Sequence, residues 1–211
     1  GVCNGGNADD LGCGCFEDGP SGCDETCGST LVDDECGVCG GDGSTCLASL
    51  TLGDFDSSGS LEVLYDFGGP VAGFQFDVTG LALTGASGGA ASDAGLTVSI
   101  GGETVLGFSF DNSEIAAGSG VLTVLSFSDV TAGTTELTFY DSSLGTDGAI
   151  TDASGNIYDA TASGSVNHGD PDCAGDYYGD AALDDCGVCN GGNADDLGCG
   201  CFEDGPSGCD E

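Results

Sequence analysis

The 211-residue chain contains no lysine, no arginine, no methionine and no tryptophan, and it has a single histidine. Without lysine or arginine there is nothing to neutralise phosphate groups, which excludes nucleic acid and anionic membrane as partners. The same absence excludes Schiff-base chemistry, an arginine clamp on an anion and the lysine isopeptide crosslinks that brace some surface fibres. It also removes every trypsin site. The lack of methionine leads to the expectation that the natural start lies elsewhere or has been processed away, and no charged-then-apolar signal segment opens the chain. No run approaches the roughly 18 apolar residues that span a bilayer.

What is present is acid: 37 Asp and Glu, for a net charge of −37. Repulsion on this scale opposes compaction unless salt or bound cations offset it, and the excess of oxygen ligands makes Ca²⁺ the implied partner. High charge with little hydrophobicity argues for disorder. Here 39% of residues are apolar and the mean hydropathy is slightly positive, so a packed core is within reach.

Residues Gly1 to Glu25 recur without change as Gly187 to Glu211, a period of 186. Diverged domains would differ at many positions, so an unaltered copy points to a window on a tandem array. Fourteen cysteines avoid the middle of the chain: Cys3, Cys13, Cys15, Cys23, Cys27, Cys36, Cys39 and Cys46 precede it, and Cys173, Cys186, Cys189, Cys199, Cys201 and Cys209 follow. Discounting the four duplicated positions leaves ten per period, an even number suited to five disulfides and to an oxidising, extracellular compartment. Their connectivity stays open at this point.

Residues 47–168 are cysteine-free and read as strand after strand. Leu61 to Tyr65, Val71 to Val78, Leu96 to Ile100, Thr104 to Phe110, Val121 to Phe127 and Glu136 to Tyr140 are rich in β-branched and aromatic residues, with Gly, Asp, Asn and Ser between them. The alternation in Gly73-Phe74-Gln75-Phe76-Asp77-Val78 places Phe74, Phe76 and Val78 on one buried face. No stretch carries a 3.6-residue apolar period. The fold class expected is all-β: a jelly-roll-like β-sandwich with a small, disulfide-rich, loop-dominated module, in tandem repeat.

Three segments resemble the cohesin-like and carbohydrate-binding-module-like sandwiches of secreted bacterial proteins: Val71 to Val78, Gly120 to Phe127 and Thr151 to Asn156. That resemblance, over about 120 residues, implies protein docking, sugar binding or spacing between modules. The flanking regions, 1–46 and 169–211, have only scattered large apolar residues such as Leu11, Phe16, Leu31 and Val32, so disulfides must stand in for a core. Leu183 to Gly192 echoes Val32 to Gly43, a small duplication nested in the large one. Cys36-Gly-Val-Cys39-Gly-Gly-Asp42 is similar to short elements of extracellular matrix proteases and of marine bacterial surface proteins, where the resemblance implies a structural role.

The Cys-x-x-Cys pairs Cys36/Cys39 and Cys186/Cys189 are candidates for structural disulfides, with zinc binding or thiol exchange as alternatives. Against zinc, the spacing to the next cysteine varies and no histidine is near. Asp54, Asp56, Ser58 and Glu62 resemble the front of a calcium loop, with Gly59 at its sixth position, but Tyr65 stands where a bidentate Glu belongs; the other reading is a turn between strands. Asp141, Asp147, Asp152 and Asp159 form a second acidic set, either a cation site at one edge of the sandwich or solvated turns. Asp9, Asp10, Asp33, Asp34, Asp42, Asp184 and Asp185 lie beside cysteine-held turns and are further Ca²⁺ candidates. His168, in the polar segment Asn167 to Asp172, reads as linker surface.

No catalytic residue is assigned. There is no nucleophile-elbow motif, and no pair of carboxylates stands out among 37 for hydrolysis. The function expected is a structural repeat of an extracellular fibre, stalk or adhesin, with identical neighbouring repeats or subunits as partners. The alternative is a cohesin-like or lectin-like module for a partner protein or glycan. Sugar stacking needs exposed aromatics, and Tyr177 and Tyr178 form the one obvious pair, equally able to pack on the sandwich.

Overall fold

The structure is a computed structural model that describes residues 11–14, 18–34, 36–139, 141–142, 146–147 and 150–205. Cys3, Cys15, Cys209, Asp9, Asp10, Phe16 and Tyr140 lie outside the described residues. The N-terminal connector contributes two short strands, β1 (Pro20–Ser21) and β2 (Thr26–Cys27), and a single 3₁₀ turn at Ser44–Cys46. The sandwich then opens directly with β3 (Leu47–Asp56).

One sheet has the order β14-β3-β4-β9-β6, where β4 is Ser60–Phe67, β6 Leu81–Ser87, β9 Gly118–Val130 and β14 Asp159–Ser163. The facing sheet has the order β15-β10-β5-β8-β7. Here β5 is Gly73–Thr79, β7 Thr97–Gly101, β8 Thr104–Phe108, β10 Thr134–Thr138 and β15 Ser165–Asn167. β13 (Ile150–Thr151) adds to β5, while β11 (Asp141–Ser142) and β12 (Thr146–Asp147) form a separate ladder. This is the expected all-β sandwich, and the inward residues of both sheets join in one core.

Period-2 alternation builds that core. On β5 the pattern is strictly in-out, burying Phe74, Phe76 and Val78 as expected, and on β4 it buries Leu61, Val63 and Phe67. Leu50, Val105, Leu122, Leu125, Leu137 and Ile150 close the cluster from the remaining strands. A five-residue helix, α1 (Gly89–Asp93), packs Ala91 against it. It is too short for the apolar period of a helix to show in sequence.

One pairing decides the layout of the ends. β14 runs parallel to β3, from Asp159 opposite Leu47 to Ser163 opposite Thr51, and every other strand pair is antiparallel among the described residues. The last long strand therefore travels the way the first one does. The chain enters the sandwich at the Leu47 end and leaves, through β15, toward the Asp56 end. At about 3.3 Å per residue, a strand the length of β3 separates the two ends by about 30 Å.

Candidate functional site

Where the chain has no basic side chain, the backbone N–H groups compensate its carboxylates. Asp34 Oδ1 accepts the N–H of Cys36 at 2.9 Å and of Val38 at 2.8 Å, and its Oδ2 accepts that of Gly43 at 2.8 Å. Asp184 repeats the arrangement with Cys186 (2.9 Å), Val188 (2.8 Å) and Asn193 (2.9 Å), and Asp172 with Ala174 (2.9 Å), Asp176 (3.0 Å) and Ala181 (2.9 Å). Asp152, inside the sandwich module, accepts Ser154 (2.9 Å) and Asn156 (2.8 Å) in the same way. In all four the fourth residue of the turn is a glycine, Gly37, Gly155, Gly175 or Gly187, with φ between 75° and 97°. The shared device is Asp-x-x-Gly-x: an anchoring carboxylate that accepts the N–H groups two and four residues on, and between them a left-handed glycine whose own N–H donates to the Asp backbone carbonyl.

The carboxylates respond as charge-assisted acceptors should. Backbone N–H groups, that of Val38 first, hold Asp34 below the ordinary 3.8, and that of Val188 does the same for Asp184. At Asp152 burial pushes upward, but the Asn156 amide and the turn's N–H groups outweigh it. A carboxyl lowered by folding stabilises the fold above its unfolded value and loses that contribution as pH falls through the folded value. The amide shifts of Val38 and Val188 are thus expected to titrate together, with a midpoint below 3.8, in an NMR pH series. A midpoint at or above 3.8 contradicts the anchoring role.

Asp33 and Cys39 form an isolated bridge, Asp42 accepts the Ser44 N–H at 3.1 Å, and Asp185 accepts the Asn193 side-chain amide at 2.8 Å. Asp56 closes the β3–β4 hairpin by accepting the Ser58 N–H at 2.8 Å, and Asp54 and Glu62 sit on the two strands of that hairpin. Asp141 and Asp147 are register partners between β11 and β12, and Asp159 begins β14. At Asp34, Asp152 and Asp184 three N–H groups already take three of the carboxylate's about four acceptor positions. Asp24, Asp34, Asp42, Asp56, Asp111, Asp152, Asp172 and Asp184 are all held low, opposite to what a general acid needs.

The cysteines pair as Cys13–Cys27, Cys23–Cys39, Cys36–Cys46, Cys173–Cys189 and Cys186–Cys201, and Cys199 also carries a disulfide. Neither Cys-x-x-Cys element closes on itself. Cys23–Cys39 and Cys36–Cys46 interleave, as do Cys173–Cys189 and Cys186–Cys201, so the nested duplication extends to its bridges. Cys23, Asp33 and Cys39 lie within ligand distance of one another, but the two sulfurs are bonded together and offer no thiolate to a metal.

Each connector is fastened to one end of the sandwich. At the Leu47 end, Cys46 packs on the core and its bridge to Cys36 borders a cleft of about 550 Å³. Across that cleft the Asp152 turn leads to Tyr158, which is buried and donates its hydroxyl to the Pro70 carbonyl at 2.6 Å.

At the other end stands His168, which is not linker surface. It is only 7% exposed, against the rings of Phe55 (4.9 Å between centroids) and Tyr178 (5.6 Å). Nε2 lies 2.8 Å from the Thr135 hydroxyl and Nδ1 2.7 Å from the Tyr178 hydroxyl, so one ring nitrogen donates and the other accepts. The turn held by Asp172 delivers Tyr177 and Tyr178, the latter at φ 61°, a conformation uncommon for an aromatic residue and held here by docking. Tyr177 is partly buried on the core and Tyr178 half exposed, so the pair packs on the sandwich rather than standing free.

No protein-family model matches the sequence, and no curated protein matches it. Among solved structures the chain is similar to a chain of a CaDoc0917–CaCohA2 complex, at 16% identity over 57% of this chain and 98% of that one, with a TM-score of 0.43. It is also similar to a non-cellulosomal cohesin from the hyperthermophilic archaeon Archaeoglobus fulgidus, at 16% identity over 57% and 89% of the two chains, with a TM-score of 0.41. A third is a type III cohesin module from the cell-surface anchoring scaffoldin ScaE of Ruminococcus flavefaciens, at 12% identity over 59% and 88%, TM-score 0.38.

Burial pushes the His168 imidazole below its ordinary 6.5, so the folded state favours the neutral ring. That contribution is complete above 6.5 and is lost as pH falls from 6.5 toward the folded value. The ring of His168 is expected to titrate below 6.5 by NMR, with the Tyr178 ring signals moving in step as the seam loosens. A midpoint at or above 6.5, or Tyr178 signals that ignore it, contradicts this role.

Proposed function

We propose that the chain is a structural repeat of an extracellular fibre, stalk or adhesin, in which sandwiches are the beads and disulfide-held acidic modules the links. The observation that carries this reading is the parallel pairing of β14 with β3, which sends the chain in at one end of the sandwich and out at the other. Both ends are then pinned to a connector, by Cys36–Cys46 on one side and by His168 with Tyr178 on the other. Successive copies would follow a line, because each presents the same two ends to its neighbours. A pull along that line would load the β3–β14 hydrogen bonds in shear, together, rather than one after another. After reduction, the native polypeptide is expected to have several times the mass of a 211-residue chain. A native chain near that size contradicts the array.

Ca²⁺ is the proposed counter-ion for the charge of −37, at exposed acidic loops such as the Asp54, Asp56, Ser58 and Glu62 hairpin. EDTA is expected to lower the melting temperature and the resistance to an Asp-directed protease. If both are unchanged, calcium leaves the account.

A second reading has one observation of its own. On the outer side of the β5–β8 sheet, Leu106 is 40% exposed and Phe110 84% exposed, the latter edge-on to Phe108 at 4.7 Å. Apolar groups placed there suit a docking face for a partner protein. A soluble partner that binds this chain but not its Leu106→Asp, Phe110→Ser variant would favour it.

A further inference from the structure

The disulfides fix how one copy would be joined to the next, on the array reading given above. Because Gly1 to Glu25 equals Gly187 to Glu211, Cys3, Cys13, Cys15 and Cys23 hold the same repeat positions as Cys189, Cys199, Cys201 and Cys209. Carried onto a single period, the bridges Cys13–Cys27, Cys23–Cys39, Cys36–Cys46, Cys173–Cys189 and Cys186–Cys201 use each of the ten positions once and none twice. Nothing in one connector obliges this. Among the described residues only the disulfide at Cys199, whose repeat position is that of Cys13, falls outside this set.

We infer that in an array Cys199 and Cys209 bond forward to Cys27 and Cys39 of the following copy, the partners that Cys13 and Cys23 have here. The disulfide that Cys199 carries within this chain is the one exchanged when a following copy is present. Each bridge forms as two thiols give up two protons and two electrons to a small-molecule or protein disulfide, which is reduced to two thiols.

The order of the bridges then has a physical consequence. Cys186 lies inside the Cys173–Cys189 loop, and Cys199 inside the Cys186–Cys201 loop. In the same way Cys23 lies inside Cys13–Cys27, and Cys36 inside Cys23–Cys39. Each loop begins before the preceding one closes. From Cys173 to Cys46 of the following copy, every peptide bond lies within at least one disulfide loop. No single backbone cut in the connector severs the chain, and the connector cannot lengthen beyond its short loops under tension. Two of the five bridges straddle the boundary between copies, so each connector is completed only by its neighbour.

The test is a chain of two copies, residues 1–211 followed by 26–211, with Leu197→Val in the first copy only and Thr30→Ser in the second copy only as mass tags, because residues 10–17 and 196–203 are identical in sequence. After folding in a glutathione redox buffer, it is digested unreduced with an Asp-directed protease. The peptide spanning 24–32 that carries Thr30→Ser, lighter by one methylene, is expected in one crosslinked species with the peptide spanning 196–203 that carries Leu197→Val. A tagged 24–32 peptide linked elsewhere, or a tagged 196–203 peptide bonded only within the first copy, overturns the inference. As a second readout, one nick in the central connector is expected to release no fragment on an unreduced gel and two fragments after reduction; release without reduction also overturns it. The array reading falls on a different measurement, the mass of the reduced native chain.

Discussion

Reducing the disulfides with excess dithiothreitol is expected to unfold both connectors while the sandwich keeps its β-structure. The connectors have no core to fall back on, since Leu11, Val32, Leu183, Leu197 and Phe202 are all exposed. Their order rests on loops of 10 to 16 residues, and closing a loop of that size contributes about 3 kcal/mol in the chain-entropy account. Asp-anchored turns alone do not replace several such contributions. The sandwich, by contrast, has no cysteine between Leu47 and Asn167, and its core is complete within those residues. By NMR, the amides of 173–201 should collapse to random-coil shifts while those of β5 stay dispersed. Connectors that stay dispersed, or a sandwich that melts on reduction, would contradict the division of labour.

Phe76→Ala is expected to cost the sandwich about 3–5 kcal/mol, a large share of the roughly 5–15 kcal/mol that holds a domain together. Phe76 is fully buried on β5, stacked beside Phe74 at 5.9 Å between ring centroids, on the strand that pairs with β8, β10 and β13. Removing the ring leaves a cavity at the centre of the cluster, where neighbouring strands cannot collapse inward. The melting temperature should fall by about 10–20 °C in differential scanning calorimetry. Phe110→Ala, at an exposed ring, is the comparison and should barely move it. Equal effects from the two would mean that the core lies elsewhere.

Sequence alone reached the strands whose apolar residues alternate. β5, β8 and β9 fall close to where Phe74, Val105 and Leu125 put them. It did not reach β6 or β14, whose Gly, Ala, Ser and Thr carry little β signal and which become strands by pairing with β9 and β3. The Asp54 to Glu62 segment, read as a turn between strands or as the front of a calcium loop, contains the tight β3–β4 hairpin turn, with β3 continuing through Asp56. The Asp-x-x-Gly-x turns are written in the sequence four times, but nothing in the residue types alone tells a carboxylate that accepts N–H groups from one that faces a cation. In a chain with no lysine or arginine, N–H dipoles are the other partner a carboxylate has. His168 was the least legible residue. Its burial depends on Phe55, far upstream, and on Tyr178, delivered by a turn whose anchor, Asp172, looked like one more linker acid.

The central claim is that sandwiches and bridged connectors alternate along a line. Electron micrographs of untreated native material test it most directly. Long filaments of constant width are expected, with an axial repeat set by one sandwich and one connector. Isolated particles the size of a single sandwich would contradict it.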